Sequence, residues 1–185
     1  MIMTLFYVIN ANASIKSQTT DEWQIVPVES SLSFTGTQNG APVSGHFQSF
    51  SGKINFDPNQ LDKSNVQIFI DMGSIFTPYG QVADTLKTSD WFNIKAFPQA
   101  IFKATQFTKL TDNNYQANGT LTLRDKTLPL TIIFTLQEYT NKKAKVQGST
   151  SLHRTLFGIG QGDWANTMIV KDKVDIQFSI LATKK

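Results

Sequence analysis

The stretch Val174-Asp175-Ile176-Gln177-Phe178-Ser179-Ile180 alternates apolar and polar residues without exception. A β-strand sends successive side chains to opposite faces, so four large apolar residues at every second place mark one face turned towards an apolar interior. The same period recurs upstream. Leu32 and Phe34 alternate with Ser31, Ser33 and Thr35, and Phe50, Gly52, Ile54 and Phe56 alternate with Ser51, Lys53 and Asn55. Val66, Ile68 and Ile70 share one face, with Gln67, Phe69 and Asp71 on the other. Ala100, Phe102 and Ala104 continue the pattern, as do Leu121 and Leu123, then Leu128, Leu130, Ile132, Phe134 and Leu136. Turn residues punctuate these runs at Asp57-Pro58-Asn59, Asn113-Asn114 and Asn141-Lys142-Lys143.

One region breaks the period. Thr77-Pro78 offers an N-cap followed by proline at the first helical position, and Val82 and Leu86 sit four apart on one face. Ser89 or Asp90 can cap a second turn carrying Trp91 and Phe92, which Pro98 ends. This predicts four strands, a short helical excursion over about 78–94, then four or more strands. Helices do not separate the strands regularly, which argues against a parallel α/β sheet. About eight hairpin-linked antiparallel strands make the chain all-β, either a closed barrel or a sandwich.

The run Phe157-Gly158-Ile159-Gly160-Gln161-Gly162-Asp163-Trp164-Ala165 is neither strand nor helix. Three glycines at alternate positions imply an enforced path with positive φ or close approach. No Lys-Ser/Thr follows them and no helix continues, so this is not a phosphate-binding loop. Together with Trp91, Phe92 and Phe97, the run can cover a barrel mouth. An eight-stranded barrel has an interior that side chains fill or that holds one slender apolar guest, and periodicity fits both. Fourteen phenylalanines and three tryptophans suit an apolar site.

With 185 residues and no shift in composition, the chain reads as one domain. A formal charge of +3 and scattered lysines are too weak a footprint for nucleic acid. There is no cysteine, hence no disulfide, thiolate nucleophile or thiolate metal ligand. Ile2 to Ile9 is mainly apolar, and Ala11-Asn12-Ala13 has the form of a signal peptidase site. Residues 1–13 are therefore expected to be a signal peptide cleaved after Ala13, residues 14–22 a polar tether, and residues 23–183 the folded barrel. No Lys or Arg precedes the apolar stretch, and the stretch is too short to span a bilayer as a helix.

Several spaced motifs, in order, carry a family resemblance. The segment Phe34 to Pro58, with Gly40-Ala41-Pro42-Val43-Ser44-Gly45-His46-Phe47 and Phe56-Asp57-Pro58, resembles the opening of the YceI-like, polyisoprenoid-binding family. Ala83-Asp84-Thr85-Leu86, Asp90-Trp91-Phe92-Asn93 and Phe97-Pro98-Gln99-Ala100-Ile101-Phe102 are similar to its helix and following strand. Gly119-Thr120-Leu121-Thr122-Leu123-Arg124 with Leu128-Pro129-Leu130 is similar to its central hairpin, and Arg154 with Phe157-Gly158-Ile159-Gly160 to its Arg-x-x-Phe-Gly-Ile segment. The resemblance covers about Trp23 to Ala182. It departs at Asp125, where members commonly have glycine, and near Gln38, where a histidine is often found.

The resemblance implies an eight-stranded antiparallel, lipocalin-like barrel that binds or transports one long isoprenoid lipid, an isoprenoid quinone or a polyprenyl phosphate, in the periplasm or outside the cell. No covalent cofactor is implied. The lumen and mouth are then expected to be lined by Phe34, Phe47, Phe56, Ile68, Ile70, Trp91, Phe92, Phe102, Leu121, Phe134, Phe157, Trp164 and Phe178. Head-group contacts would fall to Arg124 and Arg154, the chain's two arginines, although pairing with an aspartate is their commoner use. The Gly-Gln-Gly-Asp-Trp extension looks like a subgroup joined to b-type membrane cytochromes. That leaves room for transient contact with a membrane or a membrane cytochrome, and for an accessory module with a filled barrel.

Residues for other chemistry are sparse. His46 and His153 lie far apart with no ligand spacing between them, so no metal site is expected. Hydrolysis or isomerisation by lumen carboxylates would need two titratable groups in one cleft. Asp84, Asp90 and Asp163 have structural uses instead, as partner to an arginine, helix cap and turn residue respectively. No serine lies in a Gly-x-Ser-x-Gly elbow.

Overall fold

The computed structural model describes residues 22–184, so the expected signal peptide and most of the expected tether lie outside the described residues. The strands are β1 (Glu22–Ile25), β2 (Ser31–Gln38), β3 (Ala41–Phe47), β4 (Phe50–Asn55), β5 (Asn65–Asp71), β6 (Ile75–Phe76), β7 (Gln99–Thr111), β8 (Asn114–Leu123), β9 (Lys126–Tyr139), β10 (Lys143–His153) and β11 (Lys173–Lys184). The helix α1 (Gly80–Lys87) stands between β6 and β7.

Three pairs of short strands lie end to end. β1 and β2 share one edge of β11, where Trp23 faces Lys184 and Phe34 faces Ile176, and a single turn at Pro27–Glu29 parts them. β4 and β3 pair with β1 and β2 in turn, and β5 and β6, interrupted at Met72–Ser74, follow in the same way. The segments therefore make eight staves in up-and-down antiparallel order, and the pairing of β1 with β11 closes the ring. Closure pairs the two edges that an open sheet of these strands would expose. The barrel alternative of the sequence reading is the one observed.

Register follows the hydrophobic period, because a slip of one residue would turn every apolar side chain outward. Val174, Ile176, Phe178 and Ile180 all face the interior, as do Val66, Ile68 and Ile70. The four strands expected before the helix are corrected to three staves, while the five strands after α1 agree with the four or more expected there. The helix also begins later than expected. Tyr79 is its N-cap, and the Thr77 hydroxyl donates to the Tyr79 carbonyl at 2.6 Å instead of capping an amide. The expected second helical turn at Trp91 and Phe92 is a run of non-helical turns.

Aromatic rings fill one end of the barrel. Trp23 is fully buried and donates its indole N–H to the Phe56 carbonyl at 3.0 Å, while its ring meets Tyr139 at 5.5 Å. Phe56 packs edge-on against Phe107, Tyr115 and Phe134, with centroids 5.5 to 5.7 Å apart, within the separations at which such pairs attract. At the other end lie the β2–β3 turn, α1, the turns at 89–96 and the connection from β10 to β11. Among the described residues no helix is long and apolar enough to cross a membrane.

Candidate ligand cavity

Between the aromatic cluster and the far end lies a cavity of about 500 Å³. Phe34, Phe47, Phe56, Ile68, Ile70, Trp91, Phe92, Phe102, Leu121, Phe134, Trp164 and Phe178 line it. Phe157 does not; it is buried in the packing behind the wall. The inward face of each strand dictates this lining. The strands thus deliver an apolar tube, and loops supply its roof.

Polar groups on the lining are few and unevenly placed. Thr150 donates its hydroxyl to the Thr131 carbonyl at 2.7 Å, and Ser33 donates its own to Gln177. Both hydroxyls are thereby spent on neighbouring strands. The remaining polar side chains, Thr37, Gln38, Gln81, Thr85, Arg154 and Lys171, all come from the end opposite the aromatic cluster. Among the described residues no aspartate or glutamate lines the cavity, whereas Arg154 and Lys171 do.

Arg154 has five N–H groups, and each has a main-chain carbonyl. Nε donates to Lys171 at 3.1 Å, one terminal nitrogen to Ile159 and Gly160 at 2.8 and 3.2 Å, and the other to Trp164 and Val170 at 2.8 and 2.7 Å. Its side chain is 1% exposed. Burial pulls the guanidinium below the ordinary arginine range, with Asp172 acting in the opposite sense. Arg154 therefore fastens the roof, and no donor is left over for a head group. Gly160 takes a φ of +77°, and a Cβ there would strike the guanidinium. Glycine is required at this site so that the carbonyls can converge.

Arg124 also serves the roof. It sits at the β8–β9 turn with a left-handed φ of 55° and donates to the carbonyls of Trp91 and Gly158. Its guanidinium lies over the Phe97 ring at 5.7 Å, and it is absent from the cavity lining. Asp125 does not take positive φ, so the turn has no need of the glycine common there. Both arginines are held by carbonyls, which corrects the expectation of aspartate partners, including Asp84. Asp90 works through its main chain as well, its carbonyl accepting from Gly160 and Gln161 at 2.7 and 2.8 Å. Trp91 and Trp164 meet across this clasp at 5.6 Å.

Nothing in the sequence marks Lys171 or Thr37 as part of a rim, whereas Gln38 already stands out as a departure from the resemblance. The residues before Lys171 have no period, and only the fold ties them to β2, through an isolated bridge from Gln38 to Val170 and a bond from the Lys171 amide to the Thr37 carbonyl. Gln81 and Thr85 were within reach, since they neighbour Val82 and Leu86 on α1.

The histidines stand apart. His46 is exposed beside Phe76, with centroids 4.9 Å apart, and the His153 imidazole meets Asp172 at 2.8 Å. Among the described residues no three His, Cys, Asp or Glu could hold a metal together.

Asp172 also accepts from the Thr155 amide and hydroxyl at 3.0 and 2.7 Å, anchoring the turn that begins at Arg154. Burial raises its pKa, but the Thr155 and His153 hydrogen bonds outweigh burial and hold it below the ordinary carboxylate range. A carboxyl depressed in the folded state stabilises above its unfolded pKa of about 3.9, and that contribution is lost as pH falls through the folded value. Acid is therefore expected to loosen this turn only below about pH 4. Asp172→Asn should flatten that part of a stability-against-pH curve, and an unchanged acid limb would show that Asp172 is not its source.

Comparison with known proteins gives a consistent picture. The model of the YceI-like domain matches residues 23–182. The crystal structure of Burkholderia cenocepacia BcnA superposes with a TM-score of 0.82 at 30% identity, covering 86% of this chain and 99% of that one. The polyisoprenoid binding domain from Saccharophagus degradans shares the fold, with a TM-score of 0.71 at 13% identity over 89% of this chain and 99% of its own. A UPF0312 protein of Vibrio cholerae is 25% identical over 122 residues, 63% of this chain and 65% of that protein, so the match spans less than two thirds of this curated relative.

Proposed function

The chain belongs to the YceI-like domain family, and from that premise we propose that it binds or carries one long-chain isoprenoid lipid in the barrel lumen without performing chemistry on it. The observation that carries this reading is the division of the cavity wall. An apolar tube stopped by aromatic rings at one end, with its polar side chains at the other apart from Ser33 and Thr150, whose hydroxyls bond to neighbouring strands, fits a molecule with a long apolar chain and one polar head. The relative from Saccharophagus degradans, a polyisoprenoid binding domain, supports the same chemistry.

Affinity comes from the tail. Each buried methylene contributes about 0.8 kcal/mol, so a prenyl chain needs no hydrogen bond to be held. The head then lies at the rim by Gln38, Gln81 and Lys171. Among the described residues the wall has two cations and no carboxylate, which favours an electron-rich head, a quinone carbonyl or a phosphate. The open cavity weighs against the accessory module with a filled barrel. Export to the periplasm or beyond belongs to this reading and is supported by the apolar run before Ala11-Asn12-Ala13.

All three tryptophans line the cavity, so their emission reports its occupancy. Titration with ubiquinone, solanesol and a polyprenyl phosphate in dilute detergent should give a saturable change that ends at one equivalent for at least one of them. Emission indifferent to all three would contradict the reading.

A further inference from the structure

Three inward-facing glycines stand across from large apolar side chains on neighbouring strands. Gly45 is opposite Phe34, Gly52 opposite Ile68, and Gly148 opposite both Phe134 and Phe178. None takes a positive φ. Backbone freedom therefore does not explain them, and the space above them does. A Cβ at Gly45 would lie 2.5 Å from Phe34 Cζ and 2.7 Å from its Cε1. One at Gly52 would lie 2.7 Å from Ile68 Cδ1, and one at Gly148 would overlap the Phe178 ring and lie 2.8 Å from Phe134 Cβ. Carbon atoms in contact prefer about 3.5–4.0 Å. Phe34, Ile68 and Phe178 have thus folded down into the room that a missing side chain leaves, while Phe134 approaches Gly148 only through its Cβ.

The four large residues all line the cavity. A ring lying over its neighbour's glycine is part of the wall, whereas a ring forced off it must take another staggered rotamer and stand in the lumen. These pairs lie along the lumen wall on β9–β10–β11, on β2–β3 and on β4–β5, with Phe134 at the edge of the aromatic cluster. We propose that Gly45, Gly52 and Gly148 set the bore of the lumen and thereby its choice of guest, admitting long prenyl chains past the middle of the barrel. This rests on the lipid-binding reading above.

The test uses Gly148→Ala and Gly52→Ala in the full chain, with solanesol as the long prenol and farnesol as the short one. Gly148→Ala should weaken solanesol roughly tenfold or more and leave farnesol, seated on the rim side, unchanged. Adding Phe178→Leu should restore solanesol. An introduced methyl at position 148 also lies 2.6 Å from the Ile133 carbonyl, so that variant can fail to fold. Gly52→Ala meets chiefly the methyl ends of Ile68 and Ile25, and the nearest carbonyl is 3.3 Å away. It should fold, push Ile68 into the lumen and weaken solanesol several-fold. A crystal structure of each variant reads the side-chain position without any lipid. Folded variants that bind solanesol like the parent, with Phe178 and Ile68 unmoved, overturn the proposal. If the parent binds neither prenol, the lipid reading fails, and the variant structures still decide whether the glycines hold the bore open.

Discussion

Arg154→Met is expected to lower stability by about 4 kcal/mol or more and to detach the roof of the cavity. Methionine can fill much of the volume but donates nothing. Five carbonyls, from Ile159, Gly160, Trp164, Val170 and Lys171, lose their partner together. Each buried acceptor left unpaired costs about 1–3 kcal/mol, and water reaching some of them from the cavity sets the lower bound given. Arg154→Lys should recover less than half, because an ammonium has three donors and cannot span the planar fork. Denaturant melts measure the loss. Hydrogen exchange at the Gly160 and Gln161 amides, which bond to Asp90, localises it. A melt within experimental error of the parent's would remove Arg154 from its place as the fastening of the roof.

The second large effect is on binding. Phe178→Asp should abolish retention of a prenyl lipid while leaving a folded barrel. Phe178 is only partly buried and lies in the lumen wall over Gly148, so the empty cavity can hydrate the introduced carboxylate. A prenyl chain alongside would strip that water, and an unpaired carboxylate in an apolar site costs several kcal/mol, which is a loss of more than about a hundredfold in affinity. The loss should shrink at acid pH, where protonation removes the charge. Phe178→Leu should bind nearly as well as the parent. Phe134→Asp is the harsher test of folding, since Phe134 packs with Phe56 and stacks on Tyr115 in the ring cluster. Lipid retained at parental affinity by a folded Phe178→Asp protein would place the guest elsewhere.

How much of this was legible depended on where the information resides. Alternation set the inward face of nearly every stave, because burial of one face and the two-residue period are both properties of the chain itself. The first three staves were harder to count. Pro27–Glu29, the Gln48-Ser49 link and Met72–Ser74 interrupt them, and only closure against β11 and β7 shows that the pieces are collinear. Phe157 carried the same apolar signal as Trp164, but the left-handed glycines that follow turn it behind the wall. Arg154 and Arg124 were visible as rare residues, while their partners were not. Main-chain carbonyls are present at every position, so a site built from them leaves no residue pattern to find. The same holds for the rim, where Lys171 and Gln38 meet through pairing of segments more than a hundred positions apart.

The most direct measurement is native mass spectrometry of the protein purified without detergent from a membrane-containing cell, with organic extraction of the same sample. One bound prenyl lipid per chain is expected, seen as a single added mass that disappears on extraction and reappears in the organic phase. A bare chain mass, with no prenyl lipid in the extract and none taken up from added solanesol or ubiquinone, would contradict a lumen built to hold one.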